Sequence, residues 1–129
     1  MAKEFSRSQE QKVNPRRGDI FLVSFDPTVG HEIKKTRPAL VIQNDIGNRY
    51  SSLTIVAAIT SKISTVLHPV EVIIQPSRSS GLEVLSAIRM DQISTLDKQR
   101  LIKRLGVSGA SIMHQVDQAI QISLGLVEL

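Results

Sequence analysis

The chain of 129 residues is long enough for one domain with a single hydrophobic core. It contains no cysteine, which excludes a disulfide framework and a Cys-ligated metal and is typical of proteins in a reducing cytosol. Its 16 lysines and arginines exceed its 12 acidic residues and give a net charge of +4, which permits binding to a polyanion, but aromatic residues amount to only 3% and argue against a broad platform for stacking bases.

Neither a membrane span nor a metal site is predicted. The longest apolar runs, such as "LTIVAAI", are far too short to cross a bilayer, and the first residues lack the apolar centre of a signal peptide. The three histidines, His31, His68 and His114, are widely spaced and form no metal-binding motif. We therefore expect a soluble, cytoplasmic protein that needs no metal and no other cofactor.

Residues 1–15 differ in composition from the rest of the chain. They are polar, mixed in charge and end in Asn-Pro, which predicts a mobile N-terminal arm in front of a domain that spans residues 16–129. A short docking segment is the alternative interpretation of this arm.

The domain begins with a predicted strand and a polar loop. The segment "DIFLVSFD" contains β-branched and aromatic residues in partial alternation, which indicates a strand, and "DPTVG" supplies the turn after it. The following "HEIKKTR" has no period and is predicted to be a loop. Pro38 then restricts Arg37 to extended geometry, so a second strand starts in "PALVIQN" and Arg37 lies where loop and strand meet.

Further strands are predicted in the middle of the chain. "NDIGNRYS" has the residues of a turn with room for one helical turn, and the continuous apolar run in "SLTIVAAIT" indicates a central strand that is buried on both faces. "HPVEVIIQP" alternates as a strand does, and "SAIRMDQISTLD" predicts one or two more. Five or six short strands joined by tight turns indicate a small β-barrel or sandwich.

The C-terminal part changes to the periodicity of helices. In "LDKQRLIKRLG", Asp97 is a plausible N-cap and Gly106 a plausible end, which predicts a short basic helix. A longer amphipathic helix is expected to follow and to pack its apolar stripe on the barrel or on a partner chain. The stripe consists of apolar residues three or four positions apart, namely Met113, Val116, Ile120, Leu124 and Val127.

Three polar residues, Glu32, Arg37 and Thr60, are candidates for one site. If "PALVIQN" and "LTIVAAIT" are neighbouring antiparallel strands, Arg37 and Thr60 lie at the same edge of the sheet, under the loop that carries Glu32. A metal-free ribonuclease needs a base for the 2′-hydroxyl, an acid for the leaving 5′-oxygen and donors that stabilise the phosphorane. A carboxylate, a guanidinium and a hydroxyl can supply these roles, and the planar fork of Arg37 suits electrostatic stabilisation of phosphate.

Each of these residues also has a purely structural interpretation. Arg37 can be a solvated rim residue or an ion-pair partner of Glu32, and Thr60 can be a hydroxyl that bonds a nearby backbone group. The basic cluster in "KQRLIKR" is typical of the solvated face of a helix. His31 adjoins Glu32 and belongs to the residue type that titrates near neutrality, so it is a second candidate for the base.

Several motifs occur together in a fixed order and resemble the MazF/PemK family of toxin endoribonucleases. They are "RRGDIFLVSFDPTVGHE", "TRPALVIQNDIGNRY", "TIVAAIT", "LDKQRL" and "VDQAIQISLGLV". The resemblance spans residues 15–129, which is nearly the whole chain apart from the arm.

The resemblance implies a mainly β fold, a small SH3-like or CcdB-like β-barrel with a C-terminal helix, assembled as a symmetric homodimer. It also implies metal-independent cleavage of single-stranded RNA, usually messenger RNA at a short sequence. In that reaction the 2′-hydroxyl attacks and leaves a 2′,3′-cyclic phosphate and a 5′-hydroxyl. A cognate antitoxin is expected to inhibit by laying an extended acidic segment across the RNA groove.

The resemblance also implies roles for individual residues. Arg37, in "RP", corresponds to the active-site arginine of the family, and Thr60, which ends "AAIT", corresponds to its active-site threonine. Glu32 matches the acidic residue that acts as a general base in some members, while His31 stays open as another candidate for that role.

The loop before Arg37 departs from the family pattern. Members commonly show a sequence like "GSEQGGxRP", whereas this chain reads "GHEIKKTRP", with Ile33, Lys34 and Lys35 in place of the glycine-rich part. We predict that His31, Lys34 and Lys35 contact RNA, because added lysines strengthen phosphate binding by counterion release. Contact with the antitoxin alone is the other interpretation of the two lysines.

Two functions other than RNA cleavage fit the same resemblance. A CcdB-like toxin shares this fold but binds DNA gyrase and cuts nothing, and an inactive protein that only binds the antitoxin is the third interpretation. The pair of Arg37 and Thr60 favours the nuclease, since a gyrase-binding protein needs no phosphate-stabilising groups at a sheet edge.

Overall fold

Six strands in one antiparallel sheet and two helices make up the described part of the chain. The structure, a computed structural model, describes residues 14–25, 36–64, 66 and 68–128. The strands are β1 (Asp19–Ser24), β2 (Thr36–Val41), β3 (Leu53–Thr60), β4 (Glu71–Ile74), β5 (Ser86–Asp97) and β6 (Leu101–Val107). The helices are α1 (Asp45–Tyr50) and α2 (Ala110–Ser123). Neither described helix is long and apolar enough to cross a membrane.

The strand order is β4-β5-β3-β2-β1-β6, and every neighbouring pair runs antiparallel. The predicted fold class, a mainly β fold with a C-terminal helix, is confirmed. Within the described residues β4 and β6 end the sheet, so the barrel is open rather than closed. The central strand predicted in "SLTIVAAIT" is β3, which pairs with β2 on one side and β5 on the other.

Alternating side chains give the sheet two apolar layers. The first layer packs under α2 and contains Ile20, Leu40, Ala57, Ile59, Val72, Ile74, Leu82, Ile88, Met90, Val116 and Ala119. The second layer lies on the other face and contains Phe21, Val23, Ala39, Val41, Val56, Leu96 and Leu101. Because β3 contributes to both layers, its continuous apolar run reflects burial on both faces.

Helix α2 buries only part of the stripe predicted for it. Met113, Val116 and Ile120 pack on the first layer. Leu124 and Val127 follow the end of the helix and are 59% and 44% exposed. The helix ends in a Schellman motif, in which the backbone N–H of Leu126 donates to the carbonyl of Gln121 (2.7 Å) and that of Gly125 to Ile122 (3.1 Å).

The basic helix predicted between Asp97 and Gly106 is wrong. Asp97 does cap a turn, since its carboxylate accepts from the N–H of Gln99 (2.8 Å), but this 3₁₀ turn covers only Lys98–Arg100. The chain then continues as β6, whose backbone pairs with β1. Pairing with β1, a strand far earlier in the sequence, satisfies the backbone hydrogen bonds of β6. This long-range pairing outweighs the local helix propensity of the segment.

The cationic side chains of this segment are not a solvated helix face either. The guanidinium of Arg104 donates to the buried carboxylate of Asp19 (2.7 Å) and ties β6 to β1. The ammonium of Lys98 donates to the backbone carbonyl of Asn48, and burial lowers the pKa of Lys98. Both residues therefore hold separate parts of the chain together.

A buried polar cluster closes the connection between β2 and β3. Asn48, in α1, is almost completely buried and donates to the carbonyl of Gln43 (2.9 Å). Its side-chain oxygen accepts from the hydroxyl of Thr54 (2.7 Å) and the amide of Gln43 (3.0 Å). Gln43 follows β2 and Thr54 lies in β3, so Asn48 fixes the relative position of these two strands.

Arg17 joins this connection to α2. Its backbone N–H donates to Asp45 (2.7 Å), its Nε to the carbonyl of Ile42 (2.9 Å) and its Nη2 to Asp117 (2.7 Å). The hydrogen bond from Arg17 and a second from Asn48 lower the pKa of Asp45. Arg17 therefore links the segment in front of β1 to both α1 and α2.

We expect Asn48→Ala to destabilise the protein by about 1–3 kcal/mol, because the buried hydroxyl of Thr54 and the amide of Gln43 lose their hydrogen-bond acceptor on Asn48. Urea unfolding measures the loss, with Asn14→Ala, at an exposed asparagine, as a control that stays within about 0.5 kcal/mol of wild type. A double variant with Thr54→Val should lose less than the sum of the single changes. Additive losses would show that Asn48 and Thr54 do not interact.

Candidate functional site

The pairing of β2 with β3 brings Arg37 and Thr60 together. Ala39 lies opposite Ala58 in this antiparallel pair. Arg37 lies two residues before Ala39 in β2, and Thr60 lies two residues after Ala58 in β3. Because side chains repeat every two residues along a strand, Arg37 and Thr60 lie at the same edge of the sheet and on the same face.

A cleft of about 550 Å³ opens at this edge. It lies between the start of β2, the end of β3 and the segment that leads into β5. Its wall contains two cations, one carboxylate and three hydroxyls, and apolar side chains fill the rest. The lining residues are Arg37, Pro38, Ile59, Thr60, Ser61, Lys62, Gly81, Leu82, Glu83, Val84, Ser86 and Leu105.

Arg37 also lines a second, smaller cleft. This space of about 120 Å³ lies over the second apolar layer and is bounded by Phe25, Arg37, Ala58, Gln92 and Ser94. Arg37 pairs with the buried Val23 of β1, so its backbone is held within the sheet while its side chain is exposed. Among the described residues, none forms a hydrogen bond or ion pair with the guanidinium.

Thr60 is half-buried at the end of β3. Its Oγ1 accepts a hydrogen bond from the backbone N–H of Lys62 (3.0 Å), as the structural interpretation of this residue expects. That bond occupies the oxygen as an acceptor and leaves the hydroxyl hydrogen to be donated. The hydroxyl is therefore held in place and can act as a donor in the cleft.

The remaining predicted site residues are Glu32, His31, Lys34 and Lys35. They lie outside the described residues, as do residues 1–13 of the predicted arm. Their roles stay predictions. Pro15, at the end of the predicted arm, is buried.

Sequence reasoning missed a charged pair on β5. Arg89 donates from Nε and Nη2 to the two carboxylate oxygens of Asp91 (3.0 and 2.8 Å) and lies 3.4 Å from Glu71. Arg89 lies opposite Ala58, which itself lies opposite Ala39, so the pair shares the face of Arg37. The spacing of two residues in "RMD" on a predicted strand was a usable signal for this pair.

The Arg89–Asp91 pair keeps both groups charged. The hydrogen bond from Arg89 lowers the pKa of Asp91, and the same bond raises the pKa of Arg89. Two parallel hydrogen bonds fix the guanidinium in one orientation. The face of the sheet beside Arg37 therefore carries a fixed pattern of charge.

Two glycines hold the segment on the far side of the 550 Å³ cleft. Gly81 has φ +74°, and a Cβ on it would lie 2.0 Å from the carbonyl oxygen of Leu105. A Cβ on Gly106 would lie 2.2 Å from the carbonyl oxygen of Ser79. The turn around residues 77–81 therefore touches β6 backbone to backbone, which sets the width of the cleft.

A larger cleft lies at the other end of β2 and β3. It measures about 770 Å³ and is lined by Asn14, Pro15, Arg16, Asp45, Ile46, Arg49 and Tyr50. The carboxylate of Asp45 is occupied by Arg17, and the guanidinium of Arg49 lies over the ring of Tyr50 at 5.5 Å. The hydroxyl in its lining is the phenol of Tyr50, whose ring already contacts Arg49, whereas the cleft at Arg37 combines two cations with three aliphatic hydroxyls, so the Arg37 cleft is the better candidate.

No group of three or more His, Asp or Glu side chains in the described residues could hold a metal ion. The groups that line the described cleft are cations, hydroxyls and a carboxylate. Such groups bind a phosphodiester and stabilise negative charge that develops on it.

Comparison with known proteins identifies relatives over most of the chain. Residues 16–124 match the family described as PemK-like, MazF-like toxins of type II toxin–antitoxin systems. The chain is 46% identical over 113 residues to Endoribonuclease EndoA of Bacillus subtilis, an alignment that covers 88% of this chain and 97% of that protein.

Solved structures show the same fold. A MazE–MazF crystal structure from Deinococcus radiodurans matches with a TM-score of 0.73 and 26% identity and covers 88% of this chain and 98% of that one. A mycobacterial endoribonuclease in complex with its cognate antitoxin matches with a TM-score of 0.71 and 24% identity over 89% of this chain and 99% of that one. At that level of identity the second match shows the fold alone.

We expect Gly81→Ala to lower the free energy of unfolding by more than Gly125→Ala does. Both glycines have a φ near +75°, but only Gly81 faces a backbone oxygen, while nothing lies within 4 Å of a Cβ on Gly125. Backbone strain alone costs about 1 kcal/mol, so Gly125→Ala should lose about that much and Gly81→Ala about 2 kcal/mol or more. Urea unfolding of the two variants measures the difference, and equal losses would mean that the contact with β6 is not tight.

Proposed function

Because the chain belongs to the PemK-like, MazF-like toxins of type II toxin–antitoxin systems, we propose that it is an endoribonuclease that cleaves single-stranded messenger RNA at a short sequence. The relative that is 46% identical is named an endoribonuclease, which supports the activity. One structural observation carries the proposal, namely that the guanidinium of Arg37, which no described residue binds, lines the same cleft as the hydroxyl of Thr60.

The proposed reaction needs no metal. The 2′-oxygen of the RNA forms a bond to the adjacent phosphorus, and the bond from phosphorus to the 5′-oxygen breaks. The products are a 2′,3′-cyclic phosphate and a 5′-hydroxyl. A base takes the proton of the 2′-hydroxyl, and an acid gives a proton to the leaving oxygen.

In this proposal Arg37 stabilises the negative charge of the phosphorane. Its side chain is exposed, and a phosphate that reaches it breaks no ion pair with a described residue. Two donors of the guanidinium fork match two phosphate oxygens. Thr60 adds one hydrogen bond to the same charge, because its oxygen is already fixed by the N–H of Lys62.

The general base is proposed to be Glu32, with His31 as the other candidate in the same loop. A carboxylate that is held by an arginine is a weaker base, since the ion pair favours the charged form. The carboxylate of Asp91 is paired in this way and has a lowered pKa, so it suits the role less well. Lys34 and Lys35 are proposed to bind RNA phosphates.

The proposed partners are a cognate antitoxin and a second copy of the chain. The family description refers to a toxin–antitoxin system, which supports the first partner. Messenger RNA as the substrate places the proposed action in the cytoplasm.

The alternative of a CcdB-like gyrase-binding protein is disfavoured, because the matched family and the named relative both point to the nuclease.

We expect Arg37→Ala to reduce kcat by roughly 10²–10³-fold and to change RNA affinity little, since the interaction that it removes strengthens in the transition state. Single-turnover cleavage of a mixed RNA in EDTA, with end-group analysis of the fragments, measures both the rate and the product. Arg49→Ala is the matched control, because it truncates an exposed arginine of the other cleft.

Four outcomes would contradict the proposal or the role that it gives Arg37. Cleavage that stops in EDTA would exclude the metal-independent route, and fragments without cyclic-phosphate ends would exclude the attack by the 2′-hydroxyl. RNA that stays intact while the protein inhibits DNA gyrase would support the CcdB-like alternative. A variant that loses affinity but keeps its turnover at saturating RNA would show that Arg37 only binds.

For Lys34→Gln and Lys35→Gln we expect weaker binding of all RNA sequences with the cut site unchanged. Each lysine that contacts a phosphate contributes about 0.7 to the slope of log affinity against log salt for single strands. Fluorescence titration at several salt concentrations measures the slope, which should fall by about that amount per lysine. A changed cleavage sequence would instead mean that these lysines contact bases.

A further inference from the structure

Glu83 is the carboxylate in the wall of the Arg37 cleft. Its side chain is exposed, and no described residue forms an ion pair or hydrogen bond with it. The same cleft contains the cations Arg37 and Lys62, and neither is paired with Glu83. An unpaired acid in a cleft proposed for a polyanion has no structural role among the described contacts.

The backbone places Glu83 with precision. Gly81 packs directly on the backbone of β6, and the side chain of Leu82 is buried in the first apolar layer. The chain returns to the sheet at Ser86, the first residue of β5 and itself buried. Glu83 therefore projects from a short segment that is anchored at both ends, rather than from a long loop.

The sign of its charge determines what Glu83 can bind. A carboxylate repels the RNA phosphates that Arg37 and Lys62 attract, so it does not serve the backbone of the strand. When ionised it accepts hydrogen bonds and donates none. In single-stranded RNA the neutral donors available to it are the 2′-hydroxyl of the ribose and the N–H groups on the base edges, and only the base-edge donors differ from one nucleotide to the next.

The rest of the cleft suits a base. Pro38, Val84 and Leu105 form a partly exposed apolar part of the lining against which the flat face of a base can lie. The volume of about 550 Å³ lies in the range of sites that hold a small molecule. A nucleotide whose phosphate meets Arg37 would thus have an apolar surface for its base and a carboxylate at the base edge.

We infer that Glu83 is a specificity-determining residue that selects, at one position next to the cut, a base with an exocyclic amino group. Adenine, guanine and cytosine donate from such a group, and acidic side chains accept from it in known base contacts. Uracil has no amino group, and the two carbonyl oxygens beside its single N–H repel a carboxylate. Uracil should therefore be disfavoured at this position. The inference rests on the proposed endoribonuclease function.

The test compares wild type, Glu83→Gln and the matched control Glu128→Gln on an RNA pool with randomised sequence. Glutamine keeps the size of the side chain but can donate as well as accept, so it tolerates uracil. We expect Glu83→Gln to raise cleavage at sites with uracil at one position roughly tenfold relative to the other bases, with the remaining positions unchanged. Glu128 is exposed near the C-terminus and is not part of the cleft lining, so its variant should match wild type.

A second measurement separates base selection from cleavage. The same three proteins select bound sequences from a pool in which 2′-fluoro groups replace the 2′-hydroxyls, so that attack is impossible. If wild type cuts no RNA but discriminates against uracil in binding, and Glu83→Gln loses that discrimination, the proposed nuclease fails, while the selection of a base by Glu83 is retained as a property of RNA binding.

Two results would overturn the inference. One is an unchanged base profile for Glu83→Gln in both pools. The other is slower cleavage with unchanged base preferences, which would place Glu83 in the reaction or in folding rather than in base selection. Urea unfolding of the variants distinguishes a role of Glu83 in the reaction from a role in folding.

Discussion

The antiparallel register between β2 and β3 is the constraint on which the candidate site depends. Buried apolar residues on both faces, such as Leu40 in the first layer and Val56 in the second, fix this register, because a shift by one residue would turn each of them towards the wrong face. The Asn48 cluster closes the far end of the same pair. With the register fixed, Arg37 and Thr60 have only one arrangement, at the open end of the two strands.

In this arrangement the sheet holds the backbone of Arg37, while the charged end of its side chain takes no part in the packing. The backbone of Arg37 is part of the sheet and pairs with the buried Val23, while its guanidinium lies in water and, among the described residues, has no partner. Pairing within the protein would reduce the attraction of an arginine for phosphate, as the bidentate pair of Arg89 with Asp91 illustrates. A rigid strand with an unpaired charge at its end therefore suits a group that must act on a substrate.

The sequence established more of the strands than of the helices. Pro38, the run around β3 and the alternation in β4 are local signals, and each strand formed where its pattern indicated. The segment after Asp97 carried equally clear helix signals, a cap and a final glycine, but it forms β6. Its glycine, Gly106, is required by the close approach of Ser79 rather than by a helix end, and no local pattern records such a contact.

Local patterns in the sequence were enough to predict a small β protein, an extended Arg37 in front of Pro38 and a resemblance to one toxin family. The three-dimensional structure was needed to establish the strand pairing that puts Thr60 beside Arg37, the face that Arg89 and Asp91 share with them, and the position of Glu83 in the same cleft. This difference arises because propensity and periodicity act over a few residues. The cleft depends instead on strand pairing and on the packing of the Gly81 turn against β6, which join residues far apart in the chain.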